Sequence, residues 1–181
     1  MLKQIIKLGG ILFIITFSVI VILAAVNDAT KDIIIENTHK AENEARAELI
    51  EADEFVLVEE DVYRAVKDGE TVGYTVSEDT AGYGGVISMI VGIKTDGSVA
   101  GIRIVTHSET PGLGSRVADD NFIAEFANEV TPITVKKGGG AEQGEVNAIS
   151  GATVSCNAVA RGVNNAAKKL DDLGLIKRGE V

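Results

Sequence analysis

Residues 8–26 read LGGILFIITFSVIVILAAV, nineteen positions without a charge. A helix of that length covers about 28 Å at 1.5 Å per residue, close to the ~30 Å hydrocarbon core of a bilayer. Such a stretch has no polar face to turn to water, so a buried helix of a soluble domain accounts for it poorly. A cleaved signal peptide is the competing account, since Lys3 and Lys7 make a basic start and Ala24-Ala25 supply small residues. Signal h-regions run only ~7–15 residues, however, and no clear A-x-A site follows, which favours an uncleaved anchor. Lys3 and Lys7 precede the run, whereas Asp28, Lys31 and Asp32 follow it. The positive-inside bias therefore implies a single-pass protein of the cell inner or plasma membrane. Its N-terminus is expected in the cytoplasm and all that follows Val26 outside.

Residues 1–26 hold two of the 17 basic residues and none of the 27 acidic ones, so the net charge of −10 understates the acidity of the remainder. An acidic surface argues against nucleic acid as a partner, because phosphate binding needs Lys/Arg patches. Cys156 is the only cysteine, and His39 and His107 are the only histidines. An internal disulfide, a thiolate iron–sulfur cluster and a multi-cysteine zinc site are therefore excluded, and a His-rich metal site is disfavoured. Redox chemistry, if any, would need an organic cofactor.

Residues 39–54 read as a charged helix with a thin apolar stripe at Ala41, Ala45, Leu49 and Ile50, with Glu42 and Arg46 spaced as an i,i+4 pair. A solvated stalk accounts for it. Residues 62–66 and 71–76 flank Lys67-Asp68-Gly69-Glu70, and residues 86–94 and 99–106 flank Asp96-Gly97, which predicts two hairpins. Asp119-Asp120 can cap a short helix running to Ala127, with Phe122, Ile123 and Phe126 on one face. A short strand at 133–135 precedes the basic loop Lys136-Lys137-Gly138-Gly139-Gly140. Cys156, Val159, Val163, Ala166, Ala167 and Leu170 recur at helical spacing, and Gly174 is placed to stop that helix. The succession predicts an α+β fold: a single transmembrane helix followed by a compact extracytoplasmic domain.

Ser150-Gly151-Ala152-Thr153 opens the last helix. Ser150 or Thr153 can simply cap it. Alternatively, the unpaired N–H groups and positive dipole end there suit a phosphate, bound or esterified to a threonine hydroxyl, with Ser155 a second hydroxyl nearby.

Ser150-Gly151-Ala152-Thr153, followed by Ser155 and Asn157, resembles the flavinylation motif of bacterial domains that carry FMN covalently on threonine. His107-Ser108-Glu109-Thr110-Pro111-Gly112-Leu113-Gly114 resembles the same family's flavin-bordering loop, and Gly82-Tyr83-Gly84-Gly85 a third signature. With the single N-terminal span, the chain resembles the G subunit of the Rnf ion-translocating electron transport complex. Where the pattern usually has an acid, three residues before the serine, this sequence has Asn147.

The resemblance implies an electron carrier within a ferredoxin:NAD+ oxidoreductase that drives an ion pump, with no complete active site of its own. It implies covalent FMN as cofactor, phosphoester-linked to Thr153, with Ser150, Gly151 and Ala152 at the phosphate end. Glu109 and Thr110 are candidates for polar contacts to the flavin, Leu113 for packing on the ring, and Gly112 and Gly114 for shaping the loop. Lys136, or Lys137 beside it, is the candidate counter-charge. Membrane and iron–sulfur subunits of the complex and a flavin transferase are the implied partners. The expected organisation is residues 1–27 as cytoplasmic N-terminus and span, 28–58 as juxtamembrane stalk and 59–181 as FMN-binding domain. The C subunit of a Na+-translocating NADH:quinone reductase is the related alternative, typically longer than these 181 residues. A membrane-anchored extracellular binding module without redox activity is the other, and it leaves the two loops unexplained.

Overall fold

The computed structural model describes residues 2–176, and the chain divides into two compact units, Met1–Lys40 and Ala41–Val181. Helix α1, Leu2–Leu49, makes up the first unit and ends inside the second. The apolar side chains of its first half are left open: Phe13, Ile20 and Leu23 are all well over half exposed. The Thr16 hydroxyl donates to the Leu12 carbonyl at 3.0 Å and that of Ser18 to Ile14 at 2.8 Å, so the run's polar side chains are satisfied within the helix. The helix is long and apolar enough to cross a membrane.

The second unit is built on a five-stranded antiparallel meander: β1 (Glu54–Glu59), β2 (Val62–Lys67), β3 (Glu70–Ala81), β4 (Val86–Lys94) and β5 (Val99–His107), in spatial order 1-2-3-4-5. Both predicted hairpins form. At the first turn Asp68 and Gly69 both take positive φ, the backbone that an Asp-Gly pair supplies with least strain. Beyond β5 come a 3-10 turn (Gly114–Ala118), helix α2 (Asp120–Ile123) and a second 3-10 turn (Ala124–Phe126). Strand β6 (Thr134–Lys136) then pairs in parallel with β7 (Glu145–Asn147), and helix α3 (Thr153–Asp172) closes the fold. The observed class is α+β, as expected. The short helix is less regular than expected: Asp119 does not cap it with its side chain, and its carbonyl instead accepts from Phe122 and Ile123 N–H.

Helix α3 covers one face of the sheet. Cys156, Val159, Val163, Ala166, Ala167 and Leu170 are fully buried against Val62, Val76, Ile87, Met89, Val91 and Ile102. Gly174 ends the helix at φ +66°, with its N–H on the Asp171 carbonyl and that of Leu175 on Leu170, the double closure a left-handed cap permits.

The opposite face departs from expectation. Residues 41–50 do not form a solvated stalk: Ala45, Arg46 and Ile50 are buried, and the end of the segment assigned above to the stalk, 54–58, falls in strand β1. Glycines make room for the helix. A Cβ on Gly92 would lie 3.1 Å from Leu49 Cβ, and one on its cross-strand partner Gly101 would lie 3.0 Å from Leu49 Cδ2. Arg46 is buried with its charge engaged: its guanidinium donates to Asn43 Oδ1 and Ser77 Oγ, both at 3.0 Å, reaches Glu42 at 3.4 Å and stacks 4.1 Å over the Tyr63 ring.

Candidate functional site

The predicted loops converge at the start of α3. Strand β5 ends at His107, whose Nδ1 accepts the Glu109 N–H at 3.3 Å. Glu109 itself is buried, and both carboxylate oxygens are taken. Its Oε1 accepts from the Tyr83 and Gly84 N–H groups at 2.8 and 3.1 Å, and its Oε2 accepts from the Ser155 hydroxyl at 2.7 Å. One side chain thus joins the Gly82–Gly85 turn, the loop after β5 and the first turn of α3. Burial alone would raise its pKa, but the bonds from Ser155, Gly84 and Tyr83 outweigh it and hold the carboxyl below the usual glutamate range.

Gly82 and Gly114 are explained by this clamp. A Cβ at Gly82 would sit 2.1 Å from Glu109 Oε1, and one at Gly114 2.2 Å from Oε2. Sequence reasoning offered Glu109 as a polar contact to a flavin; the structure assigns its oxygens to internal bonds. Ser155, read above as a second available hydroxyl, is buried and spends its hydroxyl on Glu109.

Above the clamp opens a cleft of about 410 Å³, lined by Tyr83, Glu109, Thr110, Leu113, Gly114, Gly151, Ala152, Thr153, Val154 and Ser155. The structure therefore brings Glu109, Thr110, Leu113, Gly114, Gly151, Ala152 and Thr153 together around one cleft. Three large side chains give it an apolar rim: Tyr83 is 75% exposed, Leu113 49% and Val154 54%, an unusual cost for a water-facing surface. Val154 escaped the sequence reading, and Tyr83 was noted only as part of a glycine-rich signature. The available signal for Val154 was its place off the apolar stripe of Cys156, Val159 and Val163, an apolar residue at the start of a helix on the side turned from the core. Gly112, at φ +74°, donates its N–H to the Ser115 hydroxyl and turns the loop without lining the cleft.

Neither Ser150 nor Thr153 caps α3. Ala152 holds the cap position, and Thr153 is the first helical residue. Gly151 precedes it at φ +82°, a backbone that keeps the approach free of side chain. The Thr153 hydroxyl makes no hydrogen bond among the described residues, and the Thr153, Val154 and Ser155 N–H groups likewise have no acceptor there. The helix start accordingly offers a free nucleophilic oxygen among free donors, at the positive end of a 20-residue helix.

Thr153 also borders a second groove of about 400 Å³, lined by Lys137, Gly138, Gly139, Ala148, Ile149, Ser150 and Gly151. Ser150 faces this groove and not the first cleft. Lys136 reaches neither; its ammonium pairs with Glu145 at 2.9 Å. Asn147, standing where the resemblance expects an acid, is matched to its surroundings as an amide. Its Nδ2 donates to Glu125 Oε2 at 3.0 Å, its backbone N–H donates to the same oxygen, and its Oδ1 accepts from the Ala141 N–H at 3.1 Å. Cys156 is core, as expected, with its Sγ accepting the Ile149 N–H and burial pushing its thiol pKa up.

An FMN fits this arrangement of donors and apolar surface: a free hydroxyl and N–H groups suit the phosphate, and the Tyr83, Leu113 and Val154 rim suits a flat ring. Residues 82–168, which contain the whole constellation, match the FMN-binding domain family. The chain is 33% identical, over 83% of both chains, to the G subunit of the proton-translocating ferredoxin:NAD(+) oxidoreductase complex of Clostridium ljungdahlii. It is 34% identical, over 94% of both, to the G subunit of the Na(+)-translocating complex of Acetobacterium woodii. In fold it is similar to the C subunit of the Na(+)-translocating NADH-quinone reductase of Parabacteroides distasonis. The TM-score is 0.55 at 24% identity, covering 65% of this chain and 63% of that one. Matching these relatives over most of its length, the chain belongs to the G-subunit family of ion-translocating ferredoxin:NAD(+) oxidoreductase complexes.

Proposed function

We propose that this protein is the FMN-carrying electron relay of a membrane-bound ferredoxin:NAD+ oxidoreductase of the Rnf type, with the flavin joined through its phosphate to the Thr153 hydroxyl. The observation that carries this reading is Thr153 itself: an unengaged hydroxyl at the first helical position, with free N–H groups beside it and a cleft on either side. When bound, FMN accepts and releases electrons singly or in pairs, which suits a relay between one-electron and two-electron partners. The chain's own residues hold and orient it. The first N–H groups of α3 would hold the phosphate, Tyr83, Leu113 and Val154 would shield the ring from water, and Glu109 keeps the three loops in register.

The other subunits of the complex would supply the nicotinamide site, the iron–sulfur centres and the ion path, and a flavin transferase would load Thr153. Lys3 and Lys7 ahead of the apolar run support a cytoplasmic N-terminus and an extracytoplasmic flavin domain.

Co-expression with a flavin transferase, followed by denaturing electrophoresis viewed for flavin fluorescence, tests the attachment. The wild-type band is expected to fluoresce and Thr153→Ala to be dark. A fluorescent Thr153→Ala band would move the link to another residue, and a dark wild type would remove the covalent reading.

A further inference from the structure

The two clefts that meet at Gly151 and Thr153 differ in chemistry. The first has the Tyr83, Leu113 and Val154 rim; the second is walled by Lys137, Gly138 and Gly139. Two adjacent lysines open this second wall, and the fold separates their roles. Lys136, in β6, is held by Glu145. Lys137, the next residue, lies on the groove and makes no ion pair among the described residues. Gly138, Gly139 and Gly140 follow at φ +90°, +81° and +73°, and their N–H groups have no acceptor among the described residues. A Cβ at any of the three would meet nothing within 4 Å, so glycine is required there for the backbone path and not for space. Lys137, unpaired among the described residues, and the Gly138 and Gly139 backbone therefore line one groove with Thr153, in a chain whose formal charge is −10. An anion is the ligand such a wall accepts.

We propose that Lys137, and not Lys136, faces the phosphate carried at Thr153. The phosphodiester would lie toward the glycine-loop groove and the ring in the Tyr83–Leu113 cleft. This rests on the reading of Thr153 as the attachment point. Without Lys137 the phosphodiester would keep only backbone donors, and the ester would lose one charge-assisted hydrogen bond.

The test uses the full-length chain in a phosphate-free maltoside detergent, co-expressed with a flavin transferase, and reads the phosphodiester by phosphorus NMR. Lys137→Gln is expected to displace the resonance, Lys137→Arg to return it toward the wild-type position, and Lys136→Gln to leave it in place. If Lys137→Gln loads poorly, initial flavin incorporation should be about ten-fold slower, as loss of a charged hydrogen bond implies, and Lys137→Arg should restore it. A Lys137→Gln resonance superimposed on the wild type, a Lys136→Gln shift as large, or a loading defect that arginine leaves uncorrected overturns the assignment. A wild type with neither fluorescence nor a phosphodiester resonance removes the attachment at Thr153 itself, a result distinct from these.

Discussion

Among single residues, Glu109 organises the site. A buried carboxylate is stable only when its charge is answered, and here a serine hydroxyl and two backbone N–H groups supply most of the answer. The arrangement makes the site sensitive to acid. Because the folded-state pKa of Glu109 lies below its ordinary value of about 4.3, its stabilisation is complete above that value and is lost as pH falls through the lower folded-state pKa. Glu109→Gln should cost about 1 kcal/mol at pH 7 in urea unfolding, with the difference from wild type shrinking as pH falls below the ordinary glutamate range and through the lowered folded-state pKa. A gap that persists undiminished at low pH would show that the cost lies in packing rather than in charge. Gly82 lies on a different loop from Glu109 and Gly114, and the Ser155 donor on a third segment, so their mutual fit was not legible in the sequence. The loops were recognisable as special; that Gly82 and Gly114 exist to admit one carboxylate follows only from their approach in space.

Among the secondary-structure elements, the β6–β7 pair sets up the Ser150–Thr153 turn. Parallel pairing aligns Lys136 with Asn147, which fixes both at the strand ends from which the glycine loop and the Ser150–Thr153 turn depart. The Asn147 amide then ties Glu125, in the 3-10 turn after α2, to Ala141 in the glycine loop. An acid at this position would set two carboxylates within hydrogen-bond distance and forfeit the amide donor. Asn147→Asp should therefore cost about 2 kcal/mol at neutral pH. The shared site raises one carboxyl pKa, so the penalty should shrink on acidification, and Glu125→Gln should relieve it at pH 7. Thermal unfolding of the single and double variants reads this directly; no rescue by Glu125→Gln would mean that the two side chains are not coupled. Both hairpins and the buried stripe of α3 were legible because each rests on local periodicity and turn chemistry. Strand β1 was not, because its short β-rich run, EFVLVE, follows directly on the charged helical pattern with no turn signal between them, and pairing with β2 settles it.

For the molecule as a whole, the division between units falls inside helix α1. Its residues up to Lys40 belong to one unit, and its last turns are part of the flavin domain's packing. Removing residues 1–40 should leave a domain with near-unchanged thermal stability. Removing residues 1–53 strips Ala45, Arg46, Leu49 and Ile50 from the sheet and should cost roughly 3 kcal/mol or more, given about 1.5–3 kcal/mol per large apolar side chain buried. Equal stability of the two truncations in urea unfolding would show that the docked turns contribute nothing.

The uncharged run that cannot fold into a water-soluble surface, the two hairpins, the amphipathic closing helix and the motif around Thr153 are all settled by the order of the residues. They are written in near-neighbour patterns: continuous hydrophobicity, period-two and period-3.6 spacing, and turn residues between them. It took the folded chain to make Glu109 a clamp and Ser155 its donor, to engage Lys136 while leaving Lys137 on the groove, and to lay residues 41–50 on glycines instead of in water. Each of those outcomes depends on which distant group arrives within hydrogen-bonding or van der Waals distance. That choice is made by the packing of the sheet between its two helices, not by any segment's own preference.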